Sequence, residues 1–520
     1  ASLFLPPHIT FLSCIMPCYI SVCLYIWLGL LPGRTSTAVN EDIEVLVMLP
    51  KNNSYMFSIA RVAPAIEYAK QRLKIGGGLY SGLHFNLRYE DSNCGNDALF
   101  SLVDRSCEKK PDLVLGPVCE YAAAPVVRMA SHWNIPVIST GALASGFSDK
   151  EKEYSHLTRI SPSYLKMAEI FSAMFHHFNW KDALLIFDDD KEERNCYFTL
   201  EGVHLKLMEE YQTVHIAINT KEEGLNADDI INYIYDSEVV IMCAGADVVR
   251  DIMLAVHRRR LTNGSYIFFN VELFNSSSYG NGSWKRGDRY DSEARQAYSA
   301  LNTVTLLRTV KPEFENFSLE VKRSIQKAGL LDCDDCDNIN MFVEGFHDAL
   351  LLYALALHEA IRNGLTKKDG ADITYRMWNR TFEGIAGQVS MDFNGDRYGD
   401  FSVMSMTNTE AGTYETVCNY FGVNESFQML PVFNPELFTL KGRHRVYHTD
   451  QPDKSCGLGV SALTGIIVGS LLGTALLMFF YFIRKNYTIT IERRTAREER
   501  DMGKHRQLRE DSVRSNFSAA

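Results

Sequence analysis

The feature that most constrains this chain is VSALTGIIVGSLLGTALLMFFYFI, 24 residues without a charge from Val460 to Ile483. At about 1.5 Å per residue a helix of that length reaches about 36 Å, and a bilayer core is about 30 Å thick. RKNYTITIERR follows at once, and a basic flank marks the cytoplasmic side. The expected topology is type I: residues 39–459 outside, one transmembrane helix over 460–483, and a cytoplasmic tail over 484–520. The expected location is the plasma membrane, with a single pass. A second apolar run, Ile9 to Leu31, precedes small residues at Ser36 and Ala38, as a signal-peptidase site prefers. Residues 1–38 therefore read as a signal peptide; the length of the run leaves an uncleaved anchor as the alternative.

An exported body fits the sugar acceptors. Asn52, Asn263, Asn275, Asn281, Asn316, Asn379 and Asn424 all open N-x-S/T before the span and are glycosylation candidates. Asn486 and Asn516 also fit, but on the cytoplasmic side they are expected to be bare. The net charge of -11 argues against nucleic acid as a partner and suits a basic ligand.

Apolar runs and amphipathic stretches alternate through the ectodomain. IEVLVMLP (43–50), LHFNLRYED (83–91), PDLVLGP (111–117) and IPVIST (135–140) read as strands, with a helix opened by Pro64 and further helices near 96–108 and 121–133. The alternation restarts with a helix over 163–180 and strands at 182–189, 213–219, 239–245 and 266–272. Two such units imply an α/β protein of two doubly wound lobes, with ligands near the carboxyl ends of the strands. MFVEGFHDALLLYALALHEAIR (341–362) is a long helix, GQVSMDFNGDRYGDFSVMSM (387–406) a hairpin around an Asn-Gly turn, and 425–459 a stalk. In LGPVCEYAAAPVV (115–127) a strand, a tight turn and a helix start succeed one another, which leaves backbone N–H groups unsatisfied.

Nine cysteines remain beyond residue 38, an odd number, which in a secreted context suggests an intermolecular bond. Cys456, four residues outside the span, is the best interchain candidate, and Gly465, Gly469 and Gly473 put a small-residue stripe on the span. Cys94 and Cys119 follow neighbouring parallel strands and can bridge; Cys196 opens a helix and Cys243 ends a strand in the second lobe. Cys333 and Cys336 lack a second pair at zinc spacing, so a local disulfide, or pairing with Cys107 or Cys418, is the expectation.

No catalytic constellation stands out: there is no G-x-x-x-x-G-K-[ST], no G-x-S-x-G and no H-E-x-x-H. His347-Asp348 reads as a packed pair, and His176-His177 as surface. In 392–403 Arg397 and Val403 stand where a calcium loop needs glycine and glutamate, so no metal is expected. The chain is not expected to be an enzyme.

Long stretches carry a resemblance: DSNCGN, LVLGPVCEYAAAPVVRMASHW, ERNCYFTLEG, FFNVELFNSSSYG, GSWKRGD, LLRTVKPEFE, MFVEGFHDALLLYALALHE, WNRTFEGIAGQVS, NGDRYGDFSV, ITIERR and GKHRQLREDSVRS. From about residue 42 onward the chain resembles the natriuretic peptide receptors of the clearance (C-type) branch. Cys107, the Cys333/Cys336 insertion and Cys418 depart from that pattern and keep the related D-type branch of fish in view. By that resemblance the short tail is expected to set the chain apart from the family's guanylyl cyclase members.

The resemblance implies a type I periplasmic-binding-protein-like ectodomain, with lobe one over about 42–147 and 281–360, and lobe two over about 148–280 and 361–424. It implies a homodimer gripping one natriuretic peptide, hormone clearance by internalisation, and inhibitory G-protein coupling through Arg493, Arg494 and Arg497. It implies disulfides Cys94–Cys119 and Cys196–Cys243, and a chloride ion, the one bound group expected, at Ser92, Val118 and Cys119. The hormone-binding positions it implies are Glu120, Tyr121, Arg128, Tyr197, Glu201, His204, Val214 and Ile216. Tyr197, Glu201 and His204 share one helix face by spacing. A competing reading, a sensor of amino acids or other small molecules in the interlobe cleft, is weakened by Ala122 to Pro125, where hydroxyl residues would be expected.

Overall fold

The computed structural model describes residues 40–441, apart from 76–79, 221–223, 225, 275–282, 308–310, 328 and 330–338, together with 473, 476–479 and 481–485. The expected signal peptide, Asn275, Asn281, Cys333, Cys336, Cys456, Arg493, Arg494 and Arg497 lie outside the described residues. So does most of the expected span; among the described residues no helix is long and apolar enough to cross a membrane.

The first sheet is wholly parallel, in the order β2-β1-β3-β4-β5. Its strands are β1 (Glu41–Leu49), β2 (Leu83–Asp91), β3 (Leu113–Leu115), β4 (Val137–Ser139) and β5 (Leu157–Arg159). Helices α1 (Ile59–Ile75), α2 (Asp97–Glu108) and α3 (Glu120–His132) make its crossovers. Continuous apolar runs such as Val45 to Leu49 suit strands covered on both faces. Pro64 does not open α1, which starts at Ile59.

α4 (Tyr164–Phe178) is capped by the Ser163 hydroxyl, which accepts from the Lys166 amide, and closed by Asn179 in the left-handed region at φ 57°. It leads into the second sheet, in the order β15-β14-β13-β10-β9-β8-β6-β7. Along the chain come β6 (Asp182–Asp188), α5 (Asn195–Leu207), β7 (Gln212–Ile218), α6 (Ala227–Ile234), β8 (Val239–Cys243), α7 (Ala246–Arg258), β9 (Ile267–Val271), α8 (Asp291–Tyr298) and β10 (Leu301–Leu306). β7 to β10 run parallel with β6, and the remaining edge is antiparallel. α9 (Pro312–Lys327), α10 (Met341–Arg362), α11 (Gly370–Met377) and the ribbon β11 (Arg380–Glu383) with β12 (Gln388–Met391) return to the first lobe. β13 (Asp400–Asn408), β14 (Thr413–Phe421) and β15 (Ser426–Met429) complete the second.

The chain thus passes between lobes near 160–163, 307–311 and 392–400, and three expectations change. Residues 291–306 belong to the second lobe, because β10 pairs with β9. Residues 361–391 belong to the first, because Ile373, Met377, Val389 and Met391 enter its core. So does β5, which lay inside the expected second-lobe segment and pairs with β4. The single hairpin expected over 387–406 is split: β12 pairs with β11, while β13 joins the other sheet. The stalk does not begin at 425, because β15 pairs with β14 and Phe438 is fully buried in the second core. At the crossings, buried Arg159 donates through Nε to Asp396 Oδ1 at 2.7 Å, and Lys150 Nζ reaches the same carboxylate at 3.0 Å.

Candidate functional site

The turn after β3 is locked from below. Gly116 has φ +85°, and a Cβ there would meet the Met48 carbonyl at 2.4 Å. A Cβ at Gly141 would meet the Val118 carbonyl at 2.1 Å, so the backbone after β4 packs directly on the turn. Ala142 N donates to Val118 O, and Ser139 Oγ to Pro117 O at 2.6 Å. Cys119, in extended conformation at the N-cap of α3, is bridged to Cys94.

The amides of Val118 and Cys119 donate to no backbone carbonyl among the described residues. The expected Ser92 amide is different: it donates to Leu49 O at 3.0 Å, continuing the β1–β2 ladder. What Ser92 offers instead is its hydroxyl, buried and without a hydrogen-bond partner among the described residues. An unsatisfied buried hydroxyl beside a helix N-terminus is a donor set that fits a small anion.

Of the expected hormone positions, Tyr121, Tyr197 and Glu201 come together across the two lobes. The Tyr121 ring is 48% exposed and stands edge-on to Phe198, 5.9 Å between centroids. Tyr197 meets Phe198 at 5.2 Å and donates its hydroxyl to Glu201 Oε1 at 3.3 Å. Ser145 of the first lobe donates to Glu201 Oε2 at 2.9 Å. Arg194 lies 3.9 Å over the Tyr197 ring and pairs with Asp189, whose carboxylate raises the guanidinium pKa. The Cys196–Cys243 disulfide fixes the start of α5 beneath this cluster. Arg128, seven residues beyond Tyr121 on α3, stacks on Tyr154 and pairs with Glu153 at 2.5 Å.

Three expected positions lie elsewhere. Glu120 is only 8% exposed: its Oε1 accepts from the Leu143 amide at 3.0 Å, and burial pushes the carboxyl up to about 8. It is a wall of the interlobe cleft rather than an open surface contact. Val214 and Ile216 point away from α5. They sit in register with Leu184 and Ile186, whose side chains belong to the core on the other face of the sheet, and Ile216 packs against that core. Thr213 and His215 take the α5 side: Thr213 Oγ1 lies 2.7 Å from His204 Nδ1, and the His204 and His215 rings are 5.8 Å apart. Neighbouring residues of a strand face opposite ways, so Val214 and Ile216 lie on the other face from Thr213 and His215. Phe198, Arg194 and Ser145 join the cluster although the sequence reading did not name them. ERNCYF held the first two in plain view, but Ser145 comes from the other lobe and only folding brings it near.

Asn52, Asn263, Asn316, Asn379 and Asn424 are exposed. Cys107 is exposed and Cys418 buried, neither bridged to another cysteine among the described residues, and burial raises the Cys418 thiol to about 12. His347 and Asp348 form a buried pair at 2.8 Å, packed against Phe317.

Two α/β lobes, one on a parallel sheet and one on a mostly parallel sheet with an antiparallel edge, crossed three times by one chain and flanking a cleft, define the class: a bilobal α/β ligand-binding region of the periplasmic-binding-protein-like type. Residues 61–409 match the family described as the receptor family ligand binding region, and the chain belongs to it. It is 60% identical over 493 residues to atrial natriuretic peptide receptor 3 of Rattus norvegicus, covering 92% of each chain. It is 58% identical over 494 residues to the Homo sapiens receptor of that name, covering 92% of this chain and 91% of the relative. Atrial natriuretic peptide receptor 2 of Rattus norvegicus is 33% identical over 399 residues, which are 74% of this chain and 38% of that longer protein.

Proposed function

We propose that this protein is a single-pass receptor of the plasma membrane that binds natriuretic peptides and clears them by internalisation, without a catalytic step. The observation that carries this reading is the patch joining the lobes: Tyr121, Tyr197 and Phe198 offer aromatic surface, and Glu201 a carboxylate. A basic, ring-closed peptide with an apolar face finds both of its needs there. The close relationship to proteins named atrial natriuretic peptide receptor 3 supports the same ligand class.

In this reading two copies grip one peptide, the segment 460–483 spans the membrane, Cys456 links the copies, and the basic tail reaches an inhibitory G protein. A chloride ion held by the Ser92 hydroxyl and the Val118 and Cys119 amides fixes the turn from which Tyr121 projects. The test is calorimetric titration of the full chain in detergent micelles with a C-type natriuretic peptide, in chloride and in chloride-free buffer. The expected result is saturation at one peptide per two chains, weakened without chloride. Absence of heat from folded protein with any natriuretic peptide would sink the assignment.

A further inference from the structure

The carboxyl ends of both sheets enclose a cavity of about 500 Å³ between the lobes. The first lobe walls it with Tyr55 and Phe57, from the turn after β1, and with Phe342, from the first turn of α10. Their rings form a continuous arc, Tyr55 to Phe57 at 5.4 Å and Phe57 to Phe342 at 5.1 Å between centroids. The second lobe contributes the acidic turn between β6 and α5, from which Glu193 faces the Tyr55 hydroxyl across the cleft. Five carboxylate side chains line the cavity, and among its described lining residues there is no lysine, arginine or histidine.

A second observation is independent of that composition. Glu120 forms part of the wall and is more than nine-tenths buried, yet its Oε2 has no hydrogen-bond partner among the described residues. A buried carboxyl oxygen left without a donor costs on the order of 1–3 kcal/mol, so a ligand that donates to it is favoured. A metal ion is not the natural occupant: among the described residues no three His, Cys, Asp or Glu side chains are placed to hold one. An amino acid is not either: no cationic side chain among the described lining residues meets its carboxylate, and the Val118 and Cys119 amides in the wall are those assigned to the chloride ion. An aromatic arc facing carboxylates suits a cation with an apolar body.

We propose that the interlobe cavity, which borders the peptide-facing patch at Tyr121, is a second binding site, for a small organic amine. Its ammonium head donates to Glu120 Oε2 and is attracted by Glu193, and its aryl or alkyl body lies on Tyr55, Phe57 and Phe342. A cavity of this size encloses a ligand of about ten heavy atoms with room for water. Burial holds Glu120 largely protonated at neutral pH. An ammonium ion therefore displaces that proton to the solvent as it binds, and its affinity rises with pH between about 6.5 and 8.5.

The experiment titrates the full chain in detergent micelles with phenethylamine and with its uncharged isostere 2-phenylethanol, in buffers of different ionisation heat. The expected result is saturable binding of one phenethylamine per chain, at least about tenfold tighter than the alcohol. Proton release should accompany it and vanish in Glu120→Gln. Glu193→Gln, on the charged turn, and Tyr55→Ala should each weaken the amine about five- to tenfold. Either keeps the test decisive if Glu120→Gln fails to fold. Equal affinity for amine and alcohol, or no saturable amine binding by chain that still binds a natriuretic peptide, overturns the proposal and leaves the peptide reading intact.

Discussion

The molecule has two strand–turn–helix corners built to one plan and finished in opposite ways. Each follows a parallel strand paired on both sides, β3 in the first sheet and β6, next to the edge strand β7, in the second, and each is stapled by a disulfide, Cys94–Cys119 before α3 and Cys196–Cys243 at the start of α5. In the second corner the turn satisfies itself: Asp190 Oδ1 accepts from the amides of Glu192 and Arg194, and Asp189 binds the Arg194 guanidinium. In the first corner the acid next to the turn, Glu120, is directed to the Leu143 amide, and the turn amides keep no carboxylate of their own. A corner that already holds an internal anion has no need of an external one, whereas the other is left with buried donors. That contrast, more than either corner alone, supports an anion at Ser92, Val118 and Cys119.

Breaking the staples should have the largest effect. The bridges close separations of 25 and 47 residues, for which chain entropy gives about 3.5 and about 4 kcal/mol. Paired Cys→Ser variants, followed by denaturant unfolding, should therefore lose comparable stability at the two corners. A first-corner variant that loses much more would mean that its turn depends on the bridge beyond loop closure.

Glu120 gives the next effect, and its sign follows from linkage. The folded state raises its pKa from the ordinary value near 4.5 to about 8, chiefly by burial. The contribution is therefore complete below about 4.5 and is lost as pH rises toward 8, with a slope approaching about 1.4 kcal/mol per pH unit. Glu120→Gln should flatten the stability–pH curve of the chain across that window. A variant curve parallel to the parent's would show that Glu120 is solvated.

How much of this was legible in the sequence differs between the lobes for a physical reason. The first four strands of lobe one could be read because β1, β3 and β4 carry largely apolar runs, β2 alternates apolar and polar residues, and helices α1, α2 and α3 follow β1, β2 and β3. The three passages between lobes could not. β10 and the ribbon β11–β12 are short, and only their pairing says which sheet they enter. The 425–440 segment looks aperiodic because Phe433 and Phe438 pack as isolated anchors on Phe178 rather than as a repeating stripe. At the site, helical spacing placed Tyr197, Glu201 and His204 on one face, whereas which face of β7 carries Val214 and Ile216 follows only from its register with β6.

The contrast between the corners can be sharpened by making the first resemble the second. Ser92→Asp places a carboxylate where the buried hydroxyl stands, supplying internally what Asp190 supplies to the other turn. Its unfolding temperature and peptide affinity should become independent of chloride, while Ser92→Ala should remain chloride-sensitive but need more salt. Dependence of both variants equal to the parent's would remove the anion from this corner. Tyr197→Ala comes next in size. It removes the ring that carries Arg194 and packs on Phe198, and peptide affinity should fall about tenfold, with little loss of stability because the side chain is half-buried.

Arg128 should give the smallest effect, and the reason lies in its surroundings. Its guanidinium is exposed, paired with Glu153 at 2.5 Å and stacked 5.2 Å from the Tyr154 ring centroid. An exposed pair of this kind contributes about 0.2–1 kcal/mol to stability, because water screens it and ordering two long side chains costs entropy. Nor does a guanidinium whose charge is already matched attract or strongly repel a basic peptide. Arg128→Ala should therefore change stability by less than about 1 kcal/mol and affinity by no more than about threefold. Glu153→Ala is the sharper variant of the two, since it leaves Arg128 unmatched beside Tyr121 and should weaken binding of a basic peptide, more so at low salt. If Arg128→Ala instead costs tenfold or more in affinity, the guanidinium makes a direct contact with the peptide. The face carried by α3 would then extend two helical turns past the corner and equal the face carried by α5.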